Sequence, residues 1–255
     1  MNPFSQLTGK CALVTGAGTD GIGRAAAIAL ARRGADLVVH DRTKALIADT
    51  AELLRAFGVR VLALEGDFSV LGAARALVQQ AHAALGRLDI VVANAGISQR
   101  KAILDLTDED MQRVISTNLL ATMALTQEAA RTMVAAASGS IVIVSSINED
   151  RVVPEQAHYC ASKGGLRQWG RALAASVGPA GVRVNLLCPG AIETPLNHQH
   201  LAEYPERRDT VVNRTPLRRF GEPGDVGSVI AFLAGDESRF ITGASLYVDG
   251  GLSIG

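Results

Sequence analysis

Aromatic side chains are scarce in this sequence, making up 4% of 255 residues with a single tryptophan. Its 48% hydrophobic content therefore comes mainly from Ala, Val, Leu and Ile, the residues that fill a parallel sheet layered with helices. Cysteine is nearly absent too. Cys11, Cys160 and Cys188 are odd in number and lack metal-ligand spacing. That argues against a disulfide framework and predicts small core residues in a reducing, cytoplasmic compartment. Net charge is missing as well, since 25 Lys and Arg balance 25 Asp and Glu. A neutral chain offers no basic footprint for nucleic acid or an anionic membrane. No apolar run reaches bilayer-spanning length, and the first ten residues carry no apolar signal region. Repeats and low-complexity tracts are absent. What remains is the profile of a well-packed enzyme, at a length that one α/β domain reaches undivided.

The features that are present form a rhythm. Apolar runs at 11–15, 36–40, 59–64, 88–93, 139–144, 182–187 and 245–248 read as strands. Between them, 24–33, 70–85, 108–136 and 224–234 read as helices, as does a stretch with helical spacing through Leu166, Trp169, Leu173 and Val177. This alternation predicts an α/β fold, a doubly wound parallel sheet flanked by helices. Ligands of such sheets bind past the carboxyl ends of the strands. Asn94, Ser146 and the pair Pro189-Gly190 all fall at predicted strand ends.

Two segments carry chemistry. The first strand breaks into Gly16-Ala17-Gly18-Thr19-Asp20-Gly21-Ile22-Gly23 and then into an Ala-rich helix. Strand, glycines and helix together bring a pyrophosphate onto a helix N-terminus, where free N–H groups and the helix dipole meet it. Asp41 follows Gly23 by eighteen positions, close to the spacing at which a carboxylate meets an adenosine ribose. In the second segment, Tyr159 and Lys163 share a helix face at i and i+4, downstream of Ser146. An ammonium beside a phenol favours the phenolate, drawing its pKa below about 10. A tyrosine so tuned serves as a general acid/base near neutral pH. Asn118 lies on the apolar face of Val114 and Ile115. A buried amide there is either a lock on helix packing or a polar relay into the site.

In order and spacing, the Thr15-Gly16…Gly21-Ile22-Gly23 turn, Asn94-Ala95-Gly96, Asn118, Ser146, Tyr159 with Lys163, Pro189-Gly190 and Val248-Asp249-Gly250-Gly251 are very specific. Over essentially its whole length the chain resembles the short-chain dehydrogenase/reductase family. The resemblance implies a single-domain Rossmann fold, a nicotinamide cofactor and a homotetramer or dimer. It also implies a cofactor half at about 10–145, a substrate and catalytic half at about 146–255, and a lid at about 195–216. Tyr159 would be the acid/base, Lys163 would lower its pKa and bind the nicotinamide ribose, and Ser146 would position the reacting oxygen. Asn118 would join a water-linked proton path. Gly16, Thr19, Gly21, Ile22 and Gly23 would line the cofactor with Asn94, Ala95 and Gly96. Pro189, Gly190 and Ile192 would complete the lining, and Thr194 would bond the nicotinamide amide.

One departure concerns the glycine turn. Four residues separate Gly16 from Gly21 where the family usually has three, and Gly18 is expected to absorb the extra turn at positive φ. Asp20 brings a carboxylate towards the phosphate. Asp41 would repel a 2′-phosphate, while Arg42 beside it would attract one, so NAD is expected and NADP is the alternative. Asp67 either meets the adenine, together with Phe68, or caps the helix that follows.

Two further stretches resemble the glucose 1-dehydrogenase and sugar 1-dehydrogenase branch. Glu149 stands three residues after Ser146, Pro154 five before Tyr159 and His158 directly before it. Thr194 and Asn197 follow Pro189-Gly190. Asn148 stands where glucose dehydrogenases carry His. Ser146, Asn148, Glu149, His158, Tyr159 and Asn197 are thus expected to face the substrate, since a polyol ring needs several fixed donors and acceptors. The expected activity is oxidation of an aldose or related polyhydroxy alcohol by hydride transfer to NAD. Its rival is a 3-oxoacyl-carrier-protein reductase, or another ketone reductase, using NADPH. For that rival Arg207, Arg208, Arg214, Arg218 and Arg219 would supply a basic surface beside the lid. A non-catalytic nicotinamide-binding sensor is the alternative outside enzymes. His198 and His200 read as solvated lid residues without a fixed acid partner, and no metal is expected.

Overall fold

The computed structural model describes residues 6–70 and 72–255, and only the backbone of Gln199, His200 and Glu203. Among the described residues one parallel sheet contains β1 (Cys11–Thr15), β2 (Asp36–Asp41), β3 (Val61–Glu65), β4 (Ile90–Ala93), β5 (Gly139–Val144), β6 (Val182–Pro189) and β7 (Ser245–Val248). Their order is β3-β2-β1-β4-β5-β6-β7. Val14 pairs with Val39 on one side and Val92 on the other. The chain thus leaves β1 in one direction and later returns to its opposite edge with β4. That reversal opens a crevice above β1 and β4, where α/β sheets bind their ligands.

Alternation along the strands sorts the core into two layers. Ala12, Val14, Leu37, Val39, Val92 and Val142 face one layer of buried apolar side chains. Their neighbours Leu13, Val38, Val91, Ile141, Ile143 and Leu186 face the other. The first layer is covered by α1 (Ile22–Arg32), α2 (Lys44–Arg55) and a late helix over Pro223–Ala234. The second is covered by α3 (Ala73–Leu85), by helices over Ala121–Ala135 and Ala157–Val177, and by the turn before them. In chain order the remaining helices are α4 (Asp108–Val114), α5 (Ala121–Ala135), α6 (Ala157–Val177), α7 (Pro195–Glu203), α8 (Glu206–Arg214) and α9 (Pro223–Ala234).

Several elements differ from expectation. The helix predicted over 108–136 begins with a Thr107 capping box but passes through a π-helical turn, Ile115–Leu120, between α4 and α5. Asn118 sits in that turn, a kind of distortion that frequently accompanies functional positions. Helix α3 starts at Ala73 rather than 70, because Gly72 adopts φ +88. Helix α2, capped by Thr43 accepting from Leu46 N, was not among the expected elements. Neither were α7 and α8, whose polar sequences carry little apolar periodicity. The lid stretch is thus largely helical.

Candidate active site

The crevice is built from close backbone contacts. Gly16 takes φ +66, and a Cβ there would lie 2.9 Å from Ala95 Cα. A Cβ on Gly23 would lie 2.1 Å from Gly16 O and 2.7 Å from Asn94 Nδ2. The two glycines therefore let the start of α1 sit directly on the end of β1. Thr15 and Asn94 lace β1 to β4: Thr15 Oγ1 accepts from Asn94 N (3.0 Å) and Ala95 N (3.1 Å). Asn94 Nδ2 donates to Thr15 O (2.9 Å) and Gly16 O (3.0 Å). Gly21 caps α1 in extended conformation with no side chain on the helix end. The side chains of Thr19, Thr194 and Pro195 approach a Cβ built on it only at 3.7–4.0 Å. A helix N-terminus seated this closely on the end of β1, with no side chain crowding Gly21, fits a pyrophosphate.

The extra residue of the glycine turn is accommodated in an unexpected way. Gly16, not Gly18, carries the positive φ. Gly18 is needed for space, since a Cβ would lie 2.8 Å from both Asp41 Oδ2 and Leu46 O. Its N–H donates to Asp41 Oδ2 at 2.8 Å, while Arg42 N donates to Oδ1 at 2.7 Å. Arg24 Nη2 donates to Gly18 O, and Thr50 Oγ1 donates to Ala17 O. The lengthened turn is thus tied to α1, α2 and the Asp41 carboxylate. Thr15, Arg24 and Thr50 were missed from sequence; the family's Thr-Gly pair was the available signal for the first. Asp20 points along the outer side of α1, where it lines a cleft with Ala25, Arg32, Glu193 and His198.

At the outer rim, Asp67 accepts from Ser69 N at 2.9 Å, a local turn bond, and it does not cap α3, whose N-cap is Gly72. Phe68 is buried and stacks on His40 with ring centroids 4.6 Å apart. Its ring therefore belongs to the core, and only its backbone is left for a ligand. Ile192 likewise buries its side chain, pairing with Gly221. Gly190 packs on Asp249 of the closing Val-Asp-Gly-Gly segment, where a Cβ would lie 2.7 Å from Asp249 Cβ.

Ser146, Tyr159, Lys163 and Asn118 come together beyond the ends of β4 and β5. Ser146 accepts from Asn148 N at 3.1 Å, and its hydroxyl lies on the side of the Tyr159 phenol, where it favours the phenolate. Lys163 is buried, its Nζ donating to Val144 O at 3.0 Å and lying 5.5 Å from the Tyr159 ring centroid. The expected lowering of the phenol pKa is reversed here. Burial pushes Tyr159 up to about 12, with the Ser146 hydroxyl pulling down. Burial also pulls Lys163 down to about 8. The cause is that both groups leave water together, and desolvation penalises each charged form. Asn118 spends its amide chiefly on Ile97, Oδ1 accepting from Ile97 N and Nδ2 donating to Ile97 O, both at 2.8 Å, with a longer bond from Nδ2 to Ser162 Oγ at 3.4 Å. Its side chain is the lock, so any part it has in proton transfer falls to its main chain.

The substrate side needs three corrections. Glu149 does not face a substrate, because its side chain is wholly shielded and packs near Arg167. His158 is buried with neither ring nitrogen bonded, facing Asp110 and Arg113 of α4. It lies one residue before Tyr159 on α6, which turns it about 100° from the Tyr159 face. Asn197 donates to Ile192 O at 2.8 Å and so closes the first turn of the lid. Asn148 stays beside Ser146, half-buried, and donates to Gln156 Oε1, whose Nε2 donates to Ser98 Oγ at 2.7 Å. Ser98 was not singled out from sequence. His198 does have an acid partner, Glu193, at 2.8 Å. The His200 side chain lies outside the described residues.

A parallel sheet with a glycine cradle at its point of reversal, and a Tyr, a Lys and a Ser gathered beside it, defines a dinucleotide-dependent oxidoreductase fold. The chain belongs to the short-chain dehydrogenase/reductase family. A family model described as enoyl-(acyl carrier protein) reductase matches residues 16–253. The L-rhamnose 1-dehydrogenase (NAD(P)(+)) of Azotobacter vinelandii is 40% identical, covering 97% of this chain and 98% of the relative. An enzyme of the same name from Sphingomonas is 38% identical, with coverage of 97% and 98%. The crystal structure of a short-chain type dehydrogenase/reductase from Mycobacterium marinum superimposes with a TM-score of 0.92 at 31% identity, covering 99% of this chain and 98% of that one.

Proposed function

We propose that this protein oxidises the anomeric hydroxyl of an aldose of the L-rhamnose type to a lactone, using NAD or NADP. The observation that carries the substrate class is the full-length likeness to L-rhamnose 1-dehydrogenases. Tyr159 takes the hydroxyl proton, while Ser146 beside it holds the same oxygen. Lys163 supplies the positive charge that steadies the phenolate once formed. Asn118, by clamping Ile97, fixes the loop that follows Asn94-Ala95-Gly96. The nicotinamide, when bound, supplies the hydride acceptor. Gly16, Gly21 and Gly23 would cradle its pyrophosphate, Asn94 to Gly96 would line its ring side, and Asp41 would hold the adenosine ribose. Asn148 and Ser98, oriented through Gln156, offer polar groups to the ring hydroxyls.

Asp41→Ala is expected to shift the ratio of kcat/KM for NAD over NADP towards NADP by about tenfold, the worth of one hydrogen bond to a charged acceptor. An unchanged ratio would assign cofactor choice to the lengthened turn instead. The carrier-protein reading has little support in and beside the lid, where Arg207, Arg208 and Arg219 are paired with Glu155, Glu193 and Asp225. The proposal includes a cytoplasmic homotetramer. It is supported by an apolar groove between α5 and α6, lined by Val134, Trp169 and Leu173, and by the fully exposed Phe240 near β7. Sedimentation equilibrium measures that state directly.

The substrate class is tested by reduced-cofactor formation at mildly alkaline pH across aldoses and deoxy-aldoses, with NAD and NADP in parallel. Turnover on a subset that includes L-rhamnose is expected. Silence on every sugar, with NADPH consumed on an acetoacetyl thioester, would replace the proposal by a ketone reductase.

A further inference from the structure

One charged group inside the protein has no part in the chemistry above. The Glu149 side chain is wholly shielded from solvent, and neither carboxylate oxygen has a hydrogen-bond partner. A buried charge in that state is costly unless opposite charge faces it.

Groups from four elements surround it. Helix α6 contributes Lys163 and Arg167, which with Tyr159 occupy one stripe at i, i+4 and i+8. Arg167 Nε lies 3.7 Å from Glu149 Oε1. The 3-10 turn that carries Glu149 also carries Asp150, which pairs with Arg167 Nη1. From β6 comes the Cys188 thiol, whose pKa is pushed far up by burial and then by Glu149, so it stays neutral. From β7 come Ser245 and Tyr247. The Tyr247 hydroxyl donates to Asp150 Oδ2 at 2.6 Å, and burial followed by that bond keeps it protonated. Two carboxylates thus share one guanidinium, leaving one negative charge over. The next cation on the same stripe of α6, one turn before Arg167, is the buried Lys163.

We propose that Glu149 is a positioning residue for Lys163, a buried counter-charge that keeps the ammonium protonated beside Tyr159, with Arg167 holding the carboxylate in place. The inference rests on the reading that Lys163 steadies the Tyr159 phenolate. Lys163 is 5% exposed, and its hydrogen-bond acceptor is Val144 O, a dipole and not a charge. Burial lowers its pKa to about 8, and Cys188 and then the Glu149 carboxylate work against that fall. Without Glu149, Lys163 would lose its proton at lower pH, and Tyr159 would lose its charged partner in the range where alcohol oxidation needs it.

The test is a carbon NMR titration of protein labelled at lysine Cε. Lys10, Lys44, Lys101 and Lys163 are the chain's lysines, and the Lys163 signal is the one absent from a Lys163→Met variant. Glu149→Gln is expected to lower the Lys163 midpoint by about one pH unit, the size of a typical partner effect. The alkaline fall of kcat should move down with it. An unchanged midpoint in the folded variant would overturn the proposal and leave Glu149 a packing residue. Arg167→Met keeps the idea testable if Glu149→Gln does not fold. Removing that cation leaves two uncompensated carboxylates, so the Lys163 midpoint should rise, and no change or a fall would overturn the proposal. The titration needs no substrate, so it still decides the role of Glu149 if the sugar assignment fails.

Discussion

Replacing Tyr159 by phenylalanine is expected to lower kcat by about 10²–10⁴-fold and to leave cofactor affinity within about twofold. The argument rests on what the hydroxyl does. Tyr159 has the Ser146 hydroxyl favouring its phenolate and Lys163 Nζ 5.5 Å from its ring centroid. Phenylalanine keeps the ring that packs there and removes only the oxygen that exchanges the proton. Ser146 would still hold the substrate oxygen, so KM should change far less than kcat. Fluorescence titration with reduced cofactor measures the binding arm, and steady-state rates measure the other. Equal loss in both arms would make Tyr159 a binding residue and remove it from proton transfer.

Gly23→Ala should be the most damaging single methyl in the protein. Its Cβ would lie 2.1 Å from Gly16 O and 2.7 Å from Asn94 Nδ2, and backbone cannot swing aside as a flexible side chain can. Relieving the clash means lifting α1 off β1, which breaks the Asn94 bonds to Thr15 and Gly16 and opens the cradle. Overpacking of this kind costs about 1–3 kcal/mol or more, equivalent to a fall in Tm of about 2–4 °C per kcal/mol at this size. Dinucleotide affinity should drop by at least about a hundredfold, because the helix N-terminus no longer meets the pyrophosphate. Gly224→Ala, where nothing lies within 4 Å of the new Cβ, is the control expected to be neutral. Ala favours a helix over Gly, so similar losses in both variants would show that the close approach at Gly23 is not responsible.

The parts legible in the sequence are those fixed by local chemistry. Each strand announces itself as an apolar run, and strand, glycines and Asp41 mark the crevice because backbone approach permits no other residue type there. The parts that were not legible depend on direction. Counting from Ser146 gives the distance to Glu149 along the chain but not the side of the 3-10 turn on which it points, and it points inward. For His158 the helical rotation that hides it follows from α6 beginning at Ala157, a start that the spacing through Leu166, Trp169, Leu173 and Val177 does not mark. The extra residue after Gly16 was visible as a length. Its path was not, since that path is set by Asp41, Arg24 and Thr50 from three other elements. Desolvation of Tyr159 and Lys163 is a property of the assembled core, so no spacing rule reveals that burial dominates both groups.

The most direct measurement is the fate of the anomeric hydrogen. L-Rhamnose deuterated at C1 would be incubated with the protein and NAD, and the reduced cofactor and sugar product analysed by mass spectrometry. The expected result is one deuterium in each reduced nicotinamide, matched by one lactone or its hydrolysed acid. Reduced cofactor without deuterium would place the oxidised carbon elsewhere on the sugar. No reduced cofactor from any C1-deuterated aldose would contradict anomeric oxidation altogether.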